Sequence, residues 1–384
     1  MTLDSIQVNI DAAAIAIREK LPLLDSGVAL NHAGISPQPE SDSVAEFERG
    51  RARLLPGEAL KLADGLKRRI REGYGRILQV LPSEIAITRH TAEGVNIIAQ
   101  GFPWKPGDKV LSVNVEYPSN VYPWRNLRDR GVEVVSIAER DGRVDQEELL
   151  AAIGGGVRVV AISHVEFASG FAFDLTRIAR ECRARDVFLF VDIAQSIGVL
   201  PVDLRLVDAA AWPAWKWLMG PLGMGGFYIS ERRLPLIRPV FVGTDGMAPS
   251  RDYLDYRFEF RPDASRFEYS TENTLGLFGT AEALNRLEPL LGPEAGNALA
   301  RRVIGLGDDL IAIMEARGFR LFSSRTEGER SGIYSFVAPG APGESAKRLR
   351  QNGVEGAVRA GRLRLSPHFY NNRDDLQRVA RALA

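Results

Sequence analysis

What most limits the fold of this chain is a series of short apolar runs spaced through its middle. They are IAIT at 85–88, KVLSVNV at 109–115, VEVVSIA at 132–138, VRVVAIS at 157–163 and VFLFVD at 187–192. Their richness in Val and Ile reads as buried parallel strands. Helix-like stretches such as DQEELLAAI and LTRIARECRARD separate most of them. Strands alternating with helices imply an α/β layer fold with right-handed crossovers. In open sheets of this kind ligands sit beyond the carboxyl ends of the strands, so chemistry is expected just after each run.

From about residue 275 the pattern changes. TLGLFGTAEALNRLEPLL and EAGNALARRVIGLGDDLIAIMEARGF read as long amphipathic helices, followed by short strand candidates (RLFSS, IYSFVA, GRLRLS) and a final helix, RDDLQRVARALA. This predicts a smaller α+β unit, joined by an N-terminal helix around Ala12 to Glu19. With 384 residues the chain has length enough for two such units. Its 49 basic and 49 acidic residues cancel, so no net field recruits nucleic acid or an anionic membrane. No run has the length and apolarity of a membrane span, and the N-terminus has no basic region ahead of an apolar core. A cytoplasmic protein is the expectation. The four histidines show no metal-ligand spacing, so no metal site is expected. Cys182 shares a helix stripe with Leu175, Ile178 and Ala179, which favours a core role over a nucleophile.

One segment stands out chemically. In AAAWPAWKWLMGPLGMGGFYI the single charge is Lys216, crowded by Trp212, Trp215 and Trp217. A lysine there either snorkels to water or shifts its pKa and forms a bond. Asp192 closes the VFLFVD run, as a helix cap or as a carboxylate able to pair with a cationic ring nitrogen. Between Asp192 and Lys216 lies one more strand-like stretch, VDAAAW, so both groups can reach one crevice. After IAIT, Thr91, Ala92 and Glu93 begin a helix whose free N–H groups suit a phosphate, or which Thr91 merely caps. After KVLSVNV, Tyr117 offers an aromatic face, or simple packing.

With these residues in place, VDIAQSIGVLPVDL followed by AWKWLMGPLGMGGFYI resembles the class V aminotransferase and cysteine desulfurase-like family of pyridoxal phosphate (PLP) enzymes. LNHAGISPQP, TRHTAEGVNIIA, EYPSNVYPW, RFEYSTENT and LRLSPHFYNNRDDL are similar too and span residues about 30 to 375. The resemblance implies the PLP-dependent transferase fold, a mostly parallel central sheet with helices on both faces plus a smaller C-terminal α+β domain. It implies an N-terminal segment 1–28 packing on the small domain, a large PLP-binding domain 29–274 and a small domain 275–384. It makes Lys216 the Schiff-base lysine, Asp192 the partner of the pyridine nitrogen and Gln195 that of the ring's 3′ oxygen. Tyr117 stacks on the ring, and Thr91 and Ala92 hold the phosphate. Thr271 reaches the phosphate of the neighbouring subunit in a homodimer, and Arg364 clamps the substrate carboxylate. Arg362 and Arg364 share one face of a strand; the plain alternative is a charged edge strand.

The departures bear on the reaction. The common Ser-Gly-His before the lysine is Pro213, Ala214 and Trp215 here, so a hydroxyl ligand is lost and the Trp215 indole is left to compensate. RAGRLR, from Arg359 to Arg364, has no room for the cysteine loop of desulfurases, and Phe167 replaces an asparagine common in that branch. The expectation is therefore a class V aminotransferase acting on an amino acid. A C–S lyase, an epimerase, a decarboxylating enzyme or a non-catalytic PLP-fold binding protein are the alternatives, with cysteine desulfurase disfavoured.

Overall fold

The computed structural model describes residues 3–249, 252 and 254–384. Its centre is a seven-stranded sheet built from β1 (Ile85–Thr88), β2 (Lys109–Val113), β3 (Glu133–Ile137), β4 (Val157–Ser163), β5 (Phe188–Asp192), β6 (Ala209–Pro213) and β7 (Gly225–Ile229). The spatial order is β1-β7-β6-β5-β4-β2-β3, and only β7 runs antiparallel to its neighbours. Successive side chains enter opposite cores. Ile85 and Ile87 join one apolar cluster and Ala86 the other; Leu189 and Val191 divide likewise from Phe188 and Phe190. Both faces are thus dry, which is why the runs are apolar throughout rather than alternating. Each such Ile, Val or Phe contributes about 1.5–3 kcal/mol by burial.

β7 was not legible as a strand, and its packing shows why. A Cβ on Gly226 would lie 2.2 Å from the Trp212 ring, and one on Gly225 2.3 Å from the Trp212 carbonyl. The strand begins with two glycines because its neighbour carries a buried tryptophan, and glycine weakens the sequence signal of a strand. The helix Thr91–Gly101 approaches the same part of the sheet closely. A Cβ on Gly94 would meet the Ala211 Cβ at 2.5 Å and the Phe227 ring at 3.1 Å.

The C-terminal unit is a second, antiparallel sheet of β8 (Arg320–Leu321), β9 (Tyr334–Val337), β10 (Ala357–Arg359) and β11 (Arg362–Leu365), ordered β8-β9-β11-β10. β11 is therefore an inner strand, and the charged-edge alternative for Arg362 and Arg364 is set aside. Leu363 and Leu365 fill a separate core with Leu310, Met314, Phe336 and Leu376, from the helices Pro293–Glu315 and Arg373–Ala382 and from β9. The helix Leu3–Arg18 is tied to this unit by ion pairs from Arg18 to Asp375 (2.7 Å) and from Arg302 to Asp11. Ile10, Ala14 and Ile17 of that helix, and Leu277, Leu284 and Leu287 of the helix Thr274–Leu291, also join the apolar cluster of the main sheet.

A buried polar and aromatic network joins the two sheets. His32 Nδ1 donates to the Ser366 carbonyl (2.7 Å), which leaves Nε2 to accept from the Tyr370 hydroxyl (2.7 Å). His368 takes the opposite tautomer: Nε2 donates to the Trp217 carbonyl (2.8 Å) and Nδ1 accepts from the Phe369 N–H (2.9 Å). The carbonyl partners accept only, so both tautomers follow from geometry. Both rings are fully buried. Burial drives His32 down to about 4 against the pull of the Ser366 bond, and drives His368 well below the ordinary range.

Two outcomes follow from this packing. Gly94→Ala should destabilise the fold by about 1–3 kcal/mol in urea unfolding, because helix and sheet must separate to admit the methyl. Between pH 6.5 and about 4 the unfolded His32 binds a proton that the folded one refuses, so its contribution falls with acidity. Wild type should exceed His32→Asn in stability at pH 7.5, and the gap should narrow by about 2 kcal/mol at pH 5. A gap that stays constant with pH would contradict a neutral, buried His32.

Candidate active site

The carboxyl ends of β1, β2, β4, β5 and β6 open on one crevice of about 240 Å³. Of the residues singled out from the sequence, Thr91, Ala92, Tyr117, Asp192, Gln195, Trp215 and Lys216 all line it. Asp192 is the last residue of β5, opposite Ser163 on one side and Ala211 on the other. Its Oδ1 accepts from the Ala194 N–H at 2.8 Å. Burial raises this carboxyl to about 6, while the nearby Lys216 charge and the Ala194 bond pull it down.

Lys216 sits in the turn that follows β6. Three backbone bonds shape that turn: Ala214 N–H to Met224, Met219 N–H to Lys216 and Gly220 N–H to Ala214. Ser36 N–H also donates to the Trp215 carbonyl at 3.0 Å. The next residue, Trp217, is held at its carbonyl by His368, and its indole N–H donates to Gln195 Oε1 at 3.0 Å. Gln195 Nε2 donates in turn to the Ala33 carbonyl at 2.9 Å. The Lys216 Nζ lies 5.4 Å from the centroid of the Tyr117 ring, which itself packs edge-on to Phe167 at 5.2 Å. Burial lowers the ammonium to about 8, opposed by Asp192 and reinforced by Arg364 and Arg359. A lysine so placed has a larger uncharged fraction near neutral pH than an exposed one, as a nucleophile or proton carrier requires.

The helix Thr91–Gly101 begins at the crevice with His90 as its cap, not Thr91. The His90 Nδ1 accepts from the Glu93 N–H at 3.2 Å. Thr91 and Ala92 thus occupy the first helical turn, where backbone N–H groups have no intrahelical acceptor. Such a turn suits a phosphate.

Arg364 is 1% exposed and pairs with no carboxylate among the described residues. Its Nη1 donates to the Phe167 carbonyl (2.7 Å) and its Nη2 to Asn31 Oδ1 (3.3 Å), while Nε–H is buried without a partner. Burial, then the neighbouring Arg359, brings the guanidinium down to about 9, against a smaller pull from Tyr117. A buried cation with unused donors is a receptor for an oxyanion. Thr271 is exposed and outside the crevice of its own chain.

Sequence reasoning missed an acidic pair behind the crevice. Buried Glu116 accepts from the Ser163 N–H, from the Ser163 hydroxyl (2.6 Å) and from the Asn120 amide (2.9 Å). Glu166 is fully buried, and neither of its oxygens finds a hydrogen-bond partner among the described residues. Burial raises both carboxyls, Glu116 to about 7 and Glu166 well above its ordinary value with Glu116 adding to it. Each follows a strand end, the one signal that could have drawn attention to them. Among the described residues no cluster of His, Cys, Asp and Glu is arranged to hold a metal.

The donor set matches the cofactor implied by the sequence resemblance. It offers free N–H groups for a phosphate, a carboxylate for a ring nitrogen, an aromatic face and a lysine amine. Comparisons with known proteins agree. The model of the family described as aminotransferase class-V matches residues 59–382. A probable cysteine desulfurase of Methanothermobacter thermautotrophicus is 26% identical, with 96% of each chain covered. Isopenicillin N epimerase of Streptomyces clavuligerus is 26% identical over 94% of this chain and 95% of its own. Among solved structures, a cysteine desulfurase from Thermococcus onnurineus superposes with a TM-score of 0.85 at 22% identity, covering 94% of this chain and 95% of the other. A cystine C–S lyase in complex with cysteine persulfide gives 0.85 at 22%, covering 94% and 99%. These two show the fold. The protein belongs to the class V aminotransferase family, whose members depend on pyridoxal phosphate.

Proposed function

We propose that this protein is a PLP-dependent enzyme acting on an amino acid, with transamination as its reaction. The observation that carries the reading is the joint placement of the Lys216 amine and the Asp192 carboxylate in one crevice, with the buried Arg364, which has no carboxylate partner among the described residues, bonded to its Phe167 wall. When bound, pyridoxal phosphate supplies an electron sink for the charge released when a bond at the substrate Cα breaks. The N–H groups of Thr91 and Ala92 hold its phosphate, and the Trp215 indole stands where the common serine and histidine ligands are absent. The Asp192 carboxylate keeps a proton at the ring nitrogen, Gln195 faces the 3′ oxygen, and the Tyr117 ring covers one face. The Lys216 amine carries the proton at Cα. Arg364 grips the α-carboxylate through a two-pronged fork that sets orientation as well as position.

Cys182 supports a reaction other than persulfide transfer. It is the only cysteine, is 1% exposed in the apolar core, and burial raises its thiol to about 12. We also take the working form to be a homodimer with Thr271 reaching the neighbouring site. The exposed Val240, Phe241 and Val242, with Phe241 5.4 Å from Tyr269, offer an apolar surface beside that segment. A cytoplasmic location belongs to the same reading. No helix among the described residues is long and apolar enough to cross a membrane.

The test is a screen of amino acids with a keto-acid acceptor, read by product. Transfer of the amino group to the acceptor supports the proposal. Release of ammonia, racemisation or loss of carbon dioxide would replace transamination by elimination, epimerisation or decarboxylation. Arg364→Lys keeps the charge but loses the fork. It should lower kcat/KM by about one to three powers of ten, or about 1.4–4 kcal/mol, with the cofactor spectrum unchanged.

A further inference from the structure

β10 and β11 are joined by a two-residue turn, Ala360–Gly361, with left-handed φ values of 46° and 72°. Such turns favour Asn-Gly or Asp-Gly, and an alanine is strained at the first position. The turn fixes a register in which Arg359 opposes Arg362 and Ala357 opposes Arg364. Opposed and alternate residues share a face, so three guanidinium groups stand on one side of this hairpin. Leu363 and Leu365 occupy the other side, in the apolar core. On the arginine side, Arg364 reaches the wall of the crevice by its bond to the Phe167 carbonyl.

Like charges directly opposite one another are destabilising unless something neutralises them. Among the described residues, no carboxylate lies within 4.0 Å of any of the three. The Nε–H groups of Arg362 and Arg364 are both buried without a hydrogen-bond partner. Arg362 is steadied by the Phe322 ring, 3.6 Å from its guanidinium carbon. Arg359 bonds only the carbonyl of Val358, the residue before it (2.8 Å). Its side chain is exposed beside the turn, and its charge is felt at both Lys216 and Arg364. The Glu139 carboxyl feels the Arg362 charge, so a single α-carboxylate on Arg364 would leave Arg359 as the charge without an answering anion.

We propose that the arginine face of the hairpin receives a second anionic group, so that the substrate is an acidic amino acid. Arg364 holds its α-carboxylate, and Arg359, with Arg362 beside it, holds the oxyanion at the end of its side chain. The inference rests on the PLP-enzyme reading above. It makes the short RAGR turn a specificity element.

The experiment titrates the PLP-loaded protein with amino acids and follows the cofactor absorption. The acids are L-aspartate, L-glutamate, L-cysteine sulfinate and O-phospho-L-serine; their uncharged counterparts are L-asparagine, L-glutamine and L-serine. At least one acid should half-saturate the change at a concentration tenfold or more below its counterpart. Arg359→Gln should erase most of that ratio, and Arg359→Lys should keep part of it. The acid that binds best tells a carboxylate, a sulfinate and a phosphate apart. No response to any acid, equal responses to acid and counterpart, or a ratio that survives Arg359→Gln would overturn the proposal. A protein that takes up no cofactor would instead remove the reading beneath it.

Discussion

The constraint on which the rest of this structure depends is the burial of both faces of the seven-stranded sheet. Dry faces leave polar groups no place inside the layers unless they are paired. Ionisable chemistry is therefore pushed to the carboxyl ends of the strands, where Ser163, Asp192 and Pro213 all end their strands at one crevice. Asp192 is still buried enough to be raised to about 6, and Lys216 enough to be lowered to about 8. Each stabilises the charged form of the other, so the pair stays responsive to a ligand that brings its own charges.

Position at this edge is fixed from two directions. Local backbone bonds shape the Lys216 turn, and Trp217 is gripped from the C-terminal unit by His368 and from the main sheet by Gln195. The strand that carries Arg364 reaches the same place through Phe167 and Asn31. Movement of one unit against the other would disturb lysine and arginine together. Orientation of a substrate relative to the lysine thus depends on packing between the sheets as much as on the residues that would touch it.

Much of this was legible in the sequence, for physical reasons. β1 and β4 have the limits expected because fully buried strands leave uninterrupted Val and Ile runs. The residues after those strands share a crevice because parallel strands send their carboxyl ends to one edge. β7 was hidden by the two glycines that make room for Trp212. The helix Pro56–Leu78 was missed as well: it carries glycines at 57, 65, 73 and 75, and its buried residues begin only at Leu66. Glu116 and Glu166 meet only in three dimensions, so no spacing announced them. The cap of the helix Thr91–Gly101 proved to be His90, whose side chain reaches back to the Glu93 N–H.

The central claim is that Lys216 is the covalent seat of the cofactor. Protein reconstituted with pyridoxal phosphate, reduced with borohydride, digested and analysed by mass spectrometry tests it most directly. The account predicts one phosphopyridoxyl adduct, on the peptide containing Lys216, and none in Lys216→Ala. An adduct on another lysine, or no adduct in protein that has been given excess cofactor, would contradict it.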